Sequence, residues 1–171
     1  MHAHAPLRAS RVCCPRYTTT LHVINSAVVK LSKLTIAAKV YRGVSGGRLP
    51  KNFRLANEYG VRGGVDPAFM STTLDREVAM TYASSSGGPG VVFSIQQGMV
   101  DRGADIGWLS QYPHEQEILF APLSSLEIQA LNVEGMVLVP EIRLSINLNA
   151  ATIEQVRLLI ALLIALLIAY L

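Results

Sequence analysis

The chain has 171 residues and a mass of 18.5 kDa, room for one domain of ordinary size and not two. Half of it is hydrophobic and its mean hydropathy is +0.34, which excludes a disordered chain. No run approaches the ~18 apolar residues that a spanning helix needs, which excludes a polytopic membrane protein. The net charge of +3 is unevenly divided. Residues 1–57 hold ten basic residues and no acid, whereas residues 58–171 hold five basic and twelve acidic, a balance of −7. The basic residues are dispersed and lack interleaved aromatics, so they read as a solvated face and no nucleic-acid partner is expected.

In chain order, residues 1–20 read as a disordered or targeting leader. They contain Arg, Ser and Thr but no acid, and they lack the apolar stretch of a secretory signal. Cys13 and Cys14 are adjacent, poorly placed to pair with each other and without zinc-site spacing, and His2 and His4 make only a weak metal pair. The folded domain is expected over residues 21–148. Helical spacing of apolar residues predicts a helix from Leu21 to Leu34. A short strand follows over Lys39–Arg42, stopped by the glycine-rich Gly43-Val-Ser-Gly46-Gly47. A short helix is expected over Asn52–Tyr59, ended by Gly60. Ala68–Thr72 reads as a strand, and Asp75–Ala83 as a helix with Asp75 and Glu77 in its first turn. Val91–Gln96 is a strand. Residues 101–114 are polar and irregular. A strand starts near Glu115 and runs to Phe120. Ser125–Val133 and Met136–Ile146 form a hairpin around Glu134-Gly135. Short strands with helices mostly early indicate an α+β fold.

The last segment, 149–171, reads as an apolar helix opened by a Thr152-x-x-Gln155 capping box. Its final fourteen residues repeat Leu-Leu-Ile-Ala three times before Tyr-Leu, and they carry roughly three-quarters of the summed hydropathy. As a helix they span about 21 Å, short of the ~30 Å hydrocarbon core. Without a secretory signal the chain is expected to be intracellular and soluble, with membrane association through 158–171 as the alternative.

Three short segments are candidates for chemistry. Glu115 and Glu117, two apart on an expected strand, point to one face about 6.5 Å from each other. Such a carboxylate pair can stabilise an oxocarbenium-like centre and handle a proton. Arg42 at a strand end can fork onto a phosphate, and Gly43 lets a ligand approach the backbone. Phe69 and the hydroxyls of Ser71, Thr72 and Thr73 can wall a flat ring and position a catalytic group. Taken singly, each is also ordinary strand composition.

Together and in order, Tyr41-Arg42-Gly43, Phe69-x-Ser71-Thr72-Thr73 and Glu115-x-Glu117 resemble the Arg, Ser-Thr-Ser and Glu-x-Glu motifs of the arginine-specific mono-ADP-ribosyltransferase superfamily. The resemblance covers about residues 36–130 and departs from the pattern at Thr73, where serine is commonest. It implies a split sandwich of two small antiparallel sheets with flanking helices around an NAD cleft. NAD+, or NADP+, would be the co-substrate, with no metal. Arg42 would contact its phosphates, with Gly43, Phe69, Ser71, Thr72 and Thr73 completing the cofactor site. Ser71 would hold Glu117, which would stabilise the cation left as nicotinamide departs. Glu115 would engage the guanidinium of an arginine-containing protein acceptor. Trp108 and Tyr112 lie where the family's substrate-recognition loop would be. An NAD glycohydrolase, and an inactive NAD- or partner-binding relative, are the alternatives.

Overall fold

The computed structural model describes residues 17–146. Helix α1 spans Thr18–Ser32, followed by β1 (Lys39–Val44), α2 (Lys51–Arg54), β2 (Gly63–Asp66), β3 (Met70–Thr73), α3 (Arg76–Ser84) and β4 (Gly90–Gln96). The chain then forms β5 (Ala104–Asp105), a 3₁₀ turn (Pro113–Glu115), β6 (Glu117–Phe120), β7 (Ser124–Glu134) and β8 (Val137–Ser145). The α+β character expected from the sequence is what forms.

The strands make one hydrogen-bonded ladder in the order β2-β7-β8-β4-β1-β3-β6-β5. It is nearly parted at one place. β1 and β3 share the single register pair Tyr41↔Thr73, whereas β1 and β4 share six, from Lys39↔Gln96 to Val44↔Val91. The ladder therefore behaves as a five-strand half and a three-strand half that meet at one bridge. One neighbour pair departs from the expected antiparallel pattern: β4 and β8 run parallel, because the β7–β8 hairpin returns β8 beside β4 in the same sense.

The main core lies on one face of the five-strand half and under β3 and β6. It joins Val40, Val91, Ile95, Ile142 and Leu144 to Met70, Ile118 and Phe120, with Phe53 of α2 on top. Alternation explains the sorting: on β6 Ile118 and Phe120 point inward, while Glu117 and Leu119 face the other way. A second cluster packs Val28 and Val29 of α1 on Ala104 and Ala121. Arg102 staples the end of α1 there, donating to the Thr35 and Lys33 carbonyls at 2.8 and 3.2 Å. A third cluster sets Ala79 and Ala83 of α3 on Val92, Val137 and Val139.

Several predicted boundaries move. Helix α1 starts at Thr18, inside the expected leader. The helix expected over Asn52–Tyr59 is only the single turn Lys51–Arg54. Leu55 is already extended, and the Asn57 side chain accepts from the Tyr59 and Val61 amides at 3.0 and 2.9 Å, a local turn that competes with helix. β1 continues through Gly43 to Val44 instead of stopping at Arg42. β2 has no apolar pattern to reveal it, since it begins Gly63-Gly64, and β5 is two residues long. Cys13, Cys14, the His2/His4 pair, the capping box at Thr152 and the apolar 158–171 stretch lie outside the described residues. Among the described residues no helix is long and apolar enough to cross a membrane.

Candidate functional site

The place where β1 and β3 part is a cleft of about 310 Å³. It is lined by Tyr41, Arg42 and Gly43 from β1, Ser71, Thr72 and Thr73 from β3, Val78, Ala79 and Tyr82 from α3, and Glu115. Two of the three sequence motifs thus supply its walls, and the third supplies its rim.

Ser71 and Glu117 sit on facing strands. The register pairs Ser71 with Leu119 and Thr73 with Glu117, so Glu117 is the diagonal neighbour of Ser71 on the same face. The Ser71 hydroxyl donates to Glu117 Oε1 at 2.6 Å. Arg42 reaches across the parting of the strands, and its Nη1 donates to the Ser71 carbonyl at 3.2 Å. One residue therefore ties the guanidinium of β1 to the carboxylate of β6. Its two neighbours hold the framework. Thr72, buried, donates to the Ile118 carbonyl at 2.8 Å. Thr73 donates to the Glu115 carbonyl at 2.5 Å and accepts from the Asp75 amide at 3.0 Å. The Asp75 carboxylate then caps α3 by accepting from the Glu77 amide at 2.8 Å.

The two glutamates do not share a strand, and this corrects the sequence expectation. Glu115 ends the 3₁₀ turn, Gln116 turns through the left-handed region (φ 47°, ψ 57°), and only Glu117 opens β6. The proline at 113 fixes the start of that turn, which strand alternation does not anticipate. Gln116 accordingly stays exposed and does not join the inward face of Ile118 and Phe120. The Glu115 carboxylate is held by a residue the sequence reading missed. Tyr82 of α3 donates its phenol to Glu115 Oε1 at 2.8 Å. That hydrogen bond, and the negative charge beside it, raise the Tyr82 pKa above its ordinary 10.0. The signal for Tyr82 was present in the helix periodicity: Val78, Ala79 and Tyr82 fall on one face of α3.

Two other expected roles change. Gly43 lines the cleft, but the close approach it permits is that of α3. A Cβ there would lie 2.0 Å from the Ala79 carbonyl oxygen. Phe69 does not line the cleft. It is half-buried against the α1 cluster of Val28, Val29, Ala104 and Ala121, because it precedes β3 and points to the side that α1 covers. Trp108 and Tyr112 are exposed, at 71% and 53%. Tyr112 meets the ring of His114 edge-on, with centroids 6.1 Å apart.

An α+β sheet parted over a cleft, with an arginine, a hydroxyl run and two glutamates at the parting, defines a recognisable class. The chain belongs to the NAD:arginine ADP-ribosyltransferase family, which it matches over residues 14–139. Its fold is similar to that of the ADP-ribosyltransferase HopU1 of Pseudomonas syringae pv. Tomato DC3000, with 25% identity, a TM-score of 0.63, and 83% of this chain covering 60% of that one. It is also similar to the Vis toxin of Vibrio splendidus in its structure with agmatine, at 23% identity and a TM-score of 0.58, covering 81% of this chain and 64% of Vis. Plx2a, an ADP-ribosyltransferase toxin of Paenibacillus larvae, shares the fold at 18% identity and a TM-score of 0.54, over 81% of this chain and 75% of Plx2a. No curated protein matches the chain. The chain spans less than two thirds of the length of HopU1 and of Vis.

Proposed function

We propose that the protein transfers the ADP-ribosyl group of NAD+ to the guanidinium of an arginine in a protein acceptor and releases nicotinamide. The observation that carries this reading is the Ser71–Glu117 hydrogen bond, 2.6 Å long, on a strand end to which Arg42 is also anchored. Family membership supplies the donor, and the residues present fit it. A cleft of about 310 Å³ is at the lower end of the ~300–1,000 Å³ range of small-molecule sites. It suits one end of a dinucleotide, with the remainder lying along the open parting of the strands. Arg42 is the cation within reach of a pyrophosphate.

In this proposal the bond between the ribose C1′ and the nicotinamide nitrogen breaks, and its electron pair leaves with nicotinamide. The Glu117 carboxylate faces the developing positive charge on the ribose and stabilises it. Ser71 occupies one oxygen of Glu117 and so orients the other. A guanidinium nitrogen then bonds to C1′ and gives up a proton. Guanidinium is permanently charged and a poor nucleophile, so a carboxylate must fork onto it and accept that proton as the bond forms. Glu115, on the turn beside Glu117, is assigned that part. The agmatine bound in one Vis structure is a guanidine of minimal size and serves as a model acceptor.

The test is the purified protein with NAD+ and agmatine, followed by mass spectrometry for the adduct and by nicotinamide release. The wild type is expected to form ADP-ribosylagmatine. Glu115→Ala is expected to lose the adduct while retaining release of nicotinamide to water. An equal yield of adduct from Glu115→Ala contradicts the role given to Glu115, and release without any adduct from the wild type leaves a glycohydrolase instead. Repeating the assay with NADP+ reads the donor preference.

A further inference from the structure

Glu115 has two anchors, and they do different things. Thr73 holds its backbone carbonyl. That bond fixes the 3₁₀ turn but not the three side-chain torsions of the glutamate. The turn is followed by a residue in the left-handed region, and its own His114 and the preceding Tyr112 are exposed, so nothing in the loop itself confines the carboxylate. The side chain is confined from across the cleft, by the phenol of Tyr82 at 2.8 Å.

We propose that Tyr82 is a positioning residue for Glu115: from helix α3 it holds the acceptor-side carboxylate in the orientation that meets a guanidinium. The inference rests on the arginine-transfer reading above. α3 is a suitable base for such a task. Ala79 and Ala83 bury it on β4 and β8, and Gly43 lets its backbone sit directly on β1. A phenol on a packed helix is a far stiffer support than the loop it steadies. The hydrogen-bond count also fits. A carboxylate accepts at both oxygens, so one Tyr82 bond to Oε1 leaves Oε2 and a further lone pair for two guanidinium N–H groups. Without Tyr82 the carboxylate is free to rotate, and the acceptor must bear the entropy of ordering it.

The device acts on the acceptor and not on the donor. Glu117 is held independently by Ser71, so loss of the Tyr82 hydroxyl leaves cleavage of the nicotinamide bond in place. A clamp that merely kept the turn folded would instead disturb Glu117, two residues on, and lower both activities together.

The test is Tyr82→Phe, which keeps the ring and removes the donor. Transfer to agmatine is expected to fall about tenfold in kcat/KM, with most of the change in the KM for agmatine. NAD+ hydrolysis without acceptor is expected to fall by clearly less than transfer, since Tyr82 lines the cleft as well as holding Glu115. A measurement that needs no turnover accompanies it: titration of Tyr82 by its ¹³Cζ resonance, assigned by its absence in Tyr82→Phe. Tyr82 is expected to ionise above 10 in the wild type and at a lower pH in Glu115→Ala, because both the accepting oxygen and the opposing charge are gone. Unchanged transfer in Tyr82→Phe, equal losses of transfer and hydrolysis, or the same Tyr82 titration with and without Glu115 each overturns the proposal. A wild type that transfers nothing to any guanidine contradicts the underlying reading instead, and is told apart by the wild-type assay alone.

Discussion

Ser71 is exposed, yet its hydroxyl and its carbonyl each bind a charged group of the cleft. Its value lies in orientation and not in stability. Ser71→Ala is expected to leave the unfolding midpoint nearly unchanged, since an exposed substitution costs within about 0.5 kcal/mol. The rate of nicotinamide release is expected to fall roughly ten- to a hundredfold, because Glu117 loses its one positioning donor. Steady-state kinetics beside a urea titration checks both. At this scale much of the site was legible in the sequence. Arg42, Ser71, Thr72, Thr73, Glu115 and Glu117 all come to one place, and their order along the chain pointed there. The partner of Tyr82 and the place of Phe69 were not legible. Tyr82 belongs to no motif, and its contact joins residues 33 apart in sequence. Phe69 carried the right chemistry, but the helix covering it comes from the far N-terminal side of the chain.

Among the elements, α3 does most to shape the cleft. Its first turn is capped by Asp75, and Arg76 pairs there with Glu134 at the tip of the β7–β8 hairpin. That carboxylate raises the Arg76 pKa further above its ordinary range. The pair is exposed, so it serves alignment more than stability. Gly43 is the critical contact. Adding a methyl at Gly43 places it 2.0 Å from the Ala79 carbonyl oxygen, which is backbone and cannot turn aside. Gly43→Ala is expected to destabilise the protein by about 1–3 kcal/mol and to displace Val78, Ala79 and Tyr82 from the cleft. Urea denaturation gives the first effect, and weakened NAD+ binding by calorimetry gives the second; an unchanged midpoint contradicts the packing argument. Elements with strong apolar periodicity, such as β4, β7 and β8, were readable to within about two residues. β2 and the turn before β6 were not, because glycines and a left-handed Gln116 carry no periodic signal.

At the scale of the whole molecule, the parting of the sheet between β1 and β3 is the feature that makes a cleft at all. Strand order could not be read from the sequence, since β1 lies between β4 and β3, and β8 returns to β4 from 40 residues or more away. The division of charge gains a local meaning. Of the basic residues in the first third of the chain, Arg42 is the one that lines the cleft, and the carboxylates facing it come from the acidic remainder. In the proposed reaction Glu117 stabilises the charge formed when nicotinamide leaves. The most direct measurement is the rate of nicotinamide release from NAD+ by the wild type and by Glu117→Gln, with and without agmatine. A neutral amide keeps the size of the side chain and removes its charge. Release by Glu117→Gln is expected to fall about 10²–10³-fold in both conditions, with folding intact by circular dichroism. Release at the wild-type rate by that variant would contradict this role for Glu117.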